Sequence, residues 1–298
     1  KPQASAIYRG SLWRLAVALA GALPVPVSRG LAKWGVALYG RLRPERVTVV
    51  ARNLRPALPD PATANVMARR NFAEFAHKLV DLWRLEAGRL PADLVQPGSG
   101  WEHFHAALQA GRGVLLVTPH LGNWELGSLL LQRFGLRPLV LTAPEPADGL
   151  TELRRVARAR LGIDTLVVGA DPFAFVEVIR RLQDGGVVAV LIDRPPEPTR
   201  VEVELFGQPF AASVSAAELA RASGCVVLPV AIVRMNDGYR AEALAPVPYD
   251  RAALGNREGR REFTGTILRA FEPLLRQHPD QWFHFVPVWP EPNHDTPR

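Results

Sequence analysis

One short segment of the chain combines residue types that can carry out acid–base chemistry. Residues 118 to 125 read T-P-H-L-G-N-W-E, so His120 is followed five residues later by Glu125. If a strand ends before His120 and a helix begins after it, the turn can fold Glu125 back against the imidazole. One ring nitrogen would then be held by Glu125, and the other would face the crevice as a general base. Gly122 permits a tight turn at this point, and Asn123 can cap the helix.

The spacing alone is weakly specific. Seven histidines and 29 acidic residues in 298 positions give roughly 0.7 such pairs by chance, and none of the other six histidines has an acid at that spacing. The position of the motif supports the catalytic interpretation, because the motif follows an apolar run that is typical of a buried strand. A histidine that merely ends a strand for structural reasons is the alternative interpretation.

Short apolar runs alternate with helical stretches after residue 113, and this alternation predicts an α/β fold with a largely parallel central sheet and helices on both faces. We expect strands at 113–118, 138–142, 165–168, 187–192, 201–206, 226–234 and 239–244. Helices fit 124–134, 150–161, 172–184, 214–223 and 258–277. Only the strand at 201–206 and the pair flanking Asp237-Gly238 are predicted to be antiparallel.

Ligands bind at the carboxyl ends of the strands in such a sheet. This rule selects three segments: the turn that carries His120, the region of Pro144 after the second strand, and Asp193-Arg194 after the fourth. We expect no metal site. His103 and His105 are one residue apart, but no further ligand stands at a suitable spacing.

Composition and charge narrow the class of protein. With 48% apolar and 22% charged residues, the chain can bury a full core, which excludes a disordered protein. The net charge is +7, yet residues 1–56 alone carry +9 and the remainder sums to −2. A nucleic-acid-binding protein normally carries its positive charge on the folded body, so we expect no nucleic-acid partner.

The basic N-terminal part is also apolar. Leucines recur at helical spacing on both sides of Pro24-Val25-Pro26, and Leu15 to Val27 is too short to cross a bilayer. We expect residues 1–56 to form a helical arm that lies on a membrane surface, and residues 57–298 to form the α/β domain. A signal peptide cleaved after Ala18-Leu19-Ala20 is the alternative for the arm.

Several motifs in the chain resemble those of a known protein family. The H-L-G-N-W-E turn resembles that of the bacterial lipid A biosynthesis acyltransferases (the lauroyl and myristoyl transferases) and of their relatives that acylate phosphatidylinositol mannosides, within the lysophospholipid acyltransferase superfamily. Four further segments are similar in the expected order: R-N-L at 52–54, R-A-R-L-G at 158–162, an apolar strand ending D-R at 193–194, and L-F-G-Q-P at 205–209. The closing P-D-Q-W at 279–282 is similar too. Arg194 stands where the family more usually has glutamine, and no arginine pair precedes the last tryptophan.

This resemblance implies transfer of an acyl chain from a thioester, carried by acyl carrier protein or coenzyme A, to a hydroxyl of a glycolipid or lysophospholipid. It implies no cofactor beyond that co-substrate. His120 would be the base, oriented by Glu125, and backbone amides near Gly122 and Asn123 or a nearby arginine would bind the oxyanion.

The resemblance also assigns substrate-binding roles. Arg158, and less strongly Arg160, would bind a phosphate or a carbonyl oxygen. Asp193 would pair with Arg158 or fix the acceptor. After the motif, Leu129 or Leu130 would line a groove for the acyl chain.

We expect a monomer on the cytoplasmic face of the bacterial inner membrane, peripheral or monotopic, with membrane lipids and the acyl carrier as partners. Two other classes stay open: a non-catalytic basic lipid-binding protein, and a hydrolase or thioesterase that uses His120. The sequence has no G-x-S-x-G elbow, and its single cysteine, Cys225, lies in an apolar run.

Overall fold

The computed structural model describes residues 8–145, 149–168, 174–236 and 238–290, which form helices and strands in alternation. The helices are α1 (Gly10–Ala22), α2 (Val25–Leu42), α3 (Pro44–Leu54), α4 (Ala64–Glu86), α5 (Trp101–Gln109), α6 (Gly127–Arg133), α7 (Leu150–Arg160), α8 (Ala174–Gln183), α9 (Ser215–Ser223), α10 (Arg257–Ala270) and α11 (Glu272–Gln277). The strands are β1 (Val95–Pro97), β2 (Val114–Thr118), β3 (Leu139–Thr142), β4 (Asp164–Val167), β5 (Val187–Leu191), β6 (Arg200–Leu205), β7 (Gln208–Ser213), β8 (Val226–Met235) and β9 (Gly238–Ala243).

Seven strands form one sheet in the order β1-β9-β8-β2-β5-β3-β4. All neighbours in it are parallel except β8 and β9. Successive residues of the central strand β2 point into different cores: Leu115 joins residues of α9 and α10, whereas Leu116 joins Phe104 of α5. Helices therefore cover both faces, which confirms the predicted α/β class and explains why β2 is apolar throughout.

The predicted strands are all confirmed to within one residue at each end, including the antiparallel pair β8 and β9. The sequence analysis missed β1, β7 and α5. The predicted helix at 124–134 begins as a 3₁₀ turn at Trp124–Leu126, and the one at 258–277 is two helices, with Pro273 in the first turn of the second. Asp237 of the predicted hairpin turn and the start of the predicted helix at 172–184 lie outside the described residues.

The strand β7 accounts for the L-F-G-Q-P motif. It pairs with β6 in a separate antiparallel ribbon, in which Leu205 and Gln208 lie opposite each other. The two residues between them, Phe206 and Gly207, have φ angles of 53° and 71°. Positive φ at both positions is what a tight two-residue hairpin turn requires.

The N-terminal helices α1 and α2 pack against α4. Buried Trp13 of α1 donates from its indole nitrogen to Glu86 of α4 (2.7 Å), and Arg29 of α2 donates to both carboxylate oxygens of Asp81 (3.0 Å each). The other faces of these two helices leave large apolar side chains exposed: Leu12, Leu15, Leu19, Leu31, Trp34, Leu38 and Leu42. None of the helices described is long and apolar enough to span a membrane.

The chain after α11 runs back across the molecule as residues 278–289, here called the closing segment. Two buried asparagines of the N-terminal half bind its backbone. Asn53 donates to the carbonyls of His284 (2.9 Å) and Val286 (2.8 Å), and Asn71 donates to that of Trp282 (2.8 Å). The R-N-L motif at 52–54 therefore fixes the position of the closing segment.

Replacing Asn53 by Ala should test this attachment. The substitution leaves buried carbonyl groups without a donor, so we expect the free energy of unfolding to fall by about 1–3 kcal/mol. Urea unfolding measures the change. Asn65→Ala, on the exposed side of α4, is the matched control and should shift stability by less than about 0.5 kcal/mol. Equal effects of the two substitutions would contradict the attachment.

Candidate active site

The structure brings His120 and Asp193 together at the carboxyl ends of two neighbouring strands. β2 and β5 pair in parallel with their last residues, Thr118 and Leu191, opposite each other. His120 and Asp193 each follow two residues later, so an equal offset places the imidazole beside the carboxylate. His120 Nδ1 lies 2.5 Å from Asp193 Oδ1, and the His120 backbone N–H donates to Oδ2 (2.9 Å).

The carboxylate of Asp193 also binds two rings of the closing segment. Trp282 Nε1 donates to Oδ2 (3.0 Å), and His284 Nε2 lies 2.7 Å from the same oxygen. Burial alone would raise the pKa of Asp193, but the two imidazoles and their hydrogen bonds lower it well below its ordinary value. Asp193 is therefore an ionised carboxylate whose oxygens are taken up by protein groups, and it does not face a ligand.

His120 is neutral at neutral pH. Burial and the positive charge of Arg194 lower the pKa of His120 to about 3, against the opposing influence of Asp193. A neutral ring that donates from Nδ1 to a carboxylate carries its lone pair on Nε2. The side chain also lines a cavity. Such an arrangement suits a general base that is held in one orientation by a carboxylate.

Glu125 does not hold the imidazole, so this prediction is wrong. Its carboxylate binds two arginines of α7. Arg158 donates from Nε (3.1 Å) and Nη2 (2.7 Å), and Arg154 donates from Nη2 (2.5 Å). Burial alone would raise the pKa of Glu125, but the two guanidinium charges hold it well below its ordinary value. Charge-assisted bonds from arginine are stronger than a bond from neutral imidazole, which explains the change of partner.

The ionic cluster around Glu125 extends to the N-terminal helix. Arg154 also donates to Glu145 (2.7 Å) and lies 3.7 Å from Glu86. Glu86 in turn accepts from the indole of Trp13. A continuous chain of buried polar contacts therefore joins the turn after His120 to helix α1.

The backbone amides of Gly122 and Asn123 are occupied, so the prediction that they bind an oxyanion is wrong. The N–H of Gly122 donates to the carbonyl of Gln281, and that of Asn123 donates to the carbonyl of Ile232 (2.8 Å each). The turn lies so close to β8 that a Cβ on Gly122, at φ +63°, would meet the Ile232 oxygen at 2.0 Å. Asn123 is buried and donates from its side chain to the Lys78 carbonyl (3.3 Å), which ties the turn to α4.

A cavity of about 480 Å³ opens beside His120. Its lining is mostly apolar. It includes Phe104 of α5, Leu116 of β2, Leu130 and Leu131 of α6, and Val140 of β3. Tyr8 and Trp13 close it on the N-terminal side. Of the two groove candidates, Leu130 lines the cavity and Leu129 is not among the lining residues, although both belong to the same buried core cluster.

A second hollow, of about 740 Å³, lies at the amino ends of β2 and β8, around Cys225. Within the described parts of the chain its lining holds no histidine and no carboxylate. The acid–base chemistry therefore belongs to the cavity beside His120.

The two arginines predicted to bind substrate lie in different surroundings. Arg158 lines the cavity, but its guanidinium is bound to Glu125 and not to Asp193 as expected. Arg160 is exposed at the end of α7 and is not among the cavity residues.

The sequence analysis missed several residues of the site: Lys78, Arg154, Trp282 and His284. Lys78 had a detectable signal, since it is a lysine inside an apolar stretch of α4. His284 follows the P-D-Q-W motif by two residues. No spacing rule connects it with Asp193, which lies 91 residues away in the chain.

Comparison with known proteins finds a matching family model and several similar proteins. A family model described as bacterial lipid A biosynthesis acyltransferase matches residues 4–291. A phosphatidylinositol mannoside acyltransferase of Mycobacterium tuberculosis (strain ATCC 25618 / H37Rv) is 28% identical over 238 residues, which cover 78% of this chain and 72% of that protein. A protein of the same name from Mycolicibacterium smegmatis is 27% identical over 287 residues, 93% of this chain and 88% of that one.

The lowered pKa of His120 predicts how stability depends on pH. An unfolded histidine takes up a proton near pH 6.5, whereas native His120 does so only at about pH 3. Between these values the unfolded state binds the extra proton, so His120 should make the free energy of unfolding fall by about 1.4 kcal/mol per pH unit of acidification. His284, whose pKa burial also lowers, contributes in the same direction.

Urea unfolding of His120→Gln at several pH values between about 7 and 5 measures that contribution. The pH slope of the variant should be shallower than that of the parent chain. The same substitution at exposed His105 controls for the change of residue type. An unaltered slope in His120→Gln would show that the native imidazole titrates normally.

Proposed function

This chain belongs to the bacterial lipid A biosynthesis acyltransferase family, and we propose that it moves a fatty acyl chain from a thioester of acyl carrier protein or coenzyme A to a hydroxyl of a membrane glycolipid or lysophospholipid. Its relatives named as phosphatidylinositol mannoside acyltransferases support a glycolipid acceptor. The thioester is a co-substrate, and the proposed reaction needs no resident cofactor. We further propose that the protein works as a monomer.

The observation that carries this proposal is the His120–Asp193 pair, whose imidazole lines a mostly apolar cavity. In the proposed reaction, Nε2 of His120 takes the proton of the acceptor hydroxyl while its oxygen bonds to the thioester carbonyl carbon. The tetrahedral adduct then breaks its C–S bond, and the leaving thiolate takes the proton from the imidazolium of His120, which returns the ring to its neutral form. Asp193 keeps the imidazole in the required tautomer and stabilises the imidazolium that forms.

A direct attack by the acceptor agrees with the surroundings of His120. Within the described residues, the ring makes no hydrogen bond to a serine or a cysteine that would serve as a nucleophile. The acyl chain fits the apolar part of the cavity, since each buried methylene contributes about 0.8 kcal/mol. Glu125 takes the role of a positioning residue, because it fixes α7 and the turn after His120.

We also propose that the exposed apolar faces of α1 and α2 bind a lipid surface on the cytoplasmic side of the inner membrane. Leu31 and Trp34 of α2 are 58% and 66% exposed, respectively, and exposed Lys33 lies between them in the sequence. In α1, exposed Arg14 likewise precedes exposed Leu15. Apolar side chains inserted among cations are typical of helices that lie in the interface of an anionic bilayer. The same helix α1 closes the cavity with Trp13, so a lipid substrate would enter close to the membrane.

The reaction is tested by offering acyl carrier protein and coenzyme A thioesters together with a panel of acceptors: phosphatidylinositol mannosides, a lipid A precursor and lysophospholipids. Mass spectrometry should detect an acylated acceptor. His120→Gln should lower kcat by about 10²- to 10⁴-fold without unfolding the protein, because it removes the base. His105→Gln, a substitution outside the cavity, should retain the activity of the parent chain.

Two outcomes would overturn the proposed function. Thioester that stays intact in every mixture would indicate a lipid-binding protein. Release of free fatty acid with no acylated acceptor would indicate a hydrolase.

The membrane proposal is tested by sedimentation with phosphatidylglycerol and phosphatidylcholine vesicles. The double substitution Leu31→Ser and Trp34→Ser should weaken binding to anionic vesicles by more than about tenfold, since each large apolar side chain contributes about 1.5–3 kcal/mol when fully buried. Added salt should weaken, without abolishing, binding of the parent chain. Val66→Ser with Val176→Ser is the control, because these side chains are similarly exposed (58% and 55%) on other helices. Equal binding by both double variants would contradict the proposal.

A further inference from the structure

Lys78 lies next to the proposed base. It belongs to α4, is only 6% exposed and lines the cavity. Its Nζ sits 3.5 Å from the centre of the Trp124 ring system, and the His120 ring meets the same indole edge-on with centroids 5.0 Å apart. The indole of Trp124 therefore contacts both the ammonium group and the imidazole.

The other cations of the cavity already have partners. Arg154 and Arg158 are bound to Glu125, and Arg194 donates to the carbonyl of Phe283. Lys78, in contrast, makes no ion pair or hydrogen bond from its ammonium group to any residue that the structure describes. Among the cations of the cavity that the structure describes, Lys78 and Arg194 have no carboxylate contact, and the ammonium group of Lys78 also lacks a hydrogen bond.

A buried charge without a counter-ion is unfavourable. The indole of Trp124 offsets only part of that cost through its cation–π contact. Burial, the largest cause, lowers the pKa of Lys78 to about 7. Arg154 and Arg194 also lower this pKa, whereas Glu125 and Glu145 raise it. A lysine in such a place stabilises the protein less than an apolar residue would, which points to a ligand that supplies the missing negative charge.

We propose that the ammonium group of Lys78 binds an oxygen anion of the substrate beside Trp124 and His120. This inference rests on the proposed acyl transfer, which offers two such anions. One is the oxyanion of the tetrahedral adduct that forms next to His120, and the other is a phosphate group of the acyl carrier or of the acceptor lipid. The backbone amides of Gly122 and Asn123 are occupied, so Lys78 supplies the positive group that the turn itself does not.

Lys78→Met tests the role in turnover, because methionine keeps an unbranched apolar side chain and removes the charge. We expect kcat/KM to fall by about 10²-fold, while the midpoint of urea unfolding stays the same or rises. A fall in kcat assigns the charge to the oxyanion, and a rise in KM for donor or acceptor assigns it to a phosphate. The exposed Arg269→Gln, which removes one positive charge from α10, should change neither constant. Values of kcat and KM within twofold of the parent chain, or activity lost only in proportion to lost folded protein, would overturn the proposal.

A binding experiment separates this proposal from the proposed reaction. Dodecyl phosphate and dodecanol share an alkyl chain and differ in the anionic group. Below the micellar concentration, dodecyl phosphate should raise the thermal midpoint of the parent chain more than dodecanol does, and Lys78→Met should abolish that difference. The result does not require turnover, so it stands even if no acyl transfer is found. Equal shifts by dodecyl phosphate in the parent chain and in Lys78→Met would exclude an anion site at Lys78.

Discussion

The structure depends most on the buried carboxylate of Asp193. A carboxylate removed from water is stable only when its lone pairs are used, and here the donors come from two distant parts of the chain: the turn after β2 and the closing segment. The same contacts that satisfy Asp193 fix the imidazole of His120 and attach the C-terminal end of the chain to the sheet. Docking of the closing segment and the geometry of the site are therefore coupled, and the asparagines that bind the backbone of that segment support the site from a distance.

A second set of buried ionic contacts fixes helices relative to each other. Glu125, Arg154 and Glu86 form a chain of contacts that ends on the indole of Trp13 in α1. Each guanidinium charge is balanced by carboxylates, so the system carries little net charge while it fixes three helices relative to each other. Because Trp13 also closes the cavity, the position of α1 and the shape of the cavity are coupled. A helix proposed to lie on lipid is thus in physical contact with the wall of the site.

The sequence predicted the parts of the molecule that local patterns determine. Strand positions follow from short apolar runs, and the location of His120 at a strand end follows from the α/β alternation. The predicted side-chain partners of the site residues were wrong. Glu125 stands near His120 in sequence, but the arginines that compete for it lie 29 and 33 residues later on α7. Asp193 was identified as a candidate, yet its pairing with His120 follows from the register of β2 and β5, which no local pattern encodes.

The electrostatics of the cavity also bear on how a weak base can be effective. Burial and the positive charge of Arg194 keep His120 unprotonated, and a base of such low pKa binds a proton weakly. An anion that forms beside it reverses this balance, because a nearby negative charge favours the imidazolium. In the proposed reaction that anion is the tetrahedral oxyanion, so the basicity of His120 rises together with the charge it helps to create. The stabilisation is then largest in the transition state and small in the ground state, which is the condition for raising kcat rather than merely tightening binding.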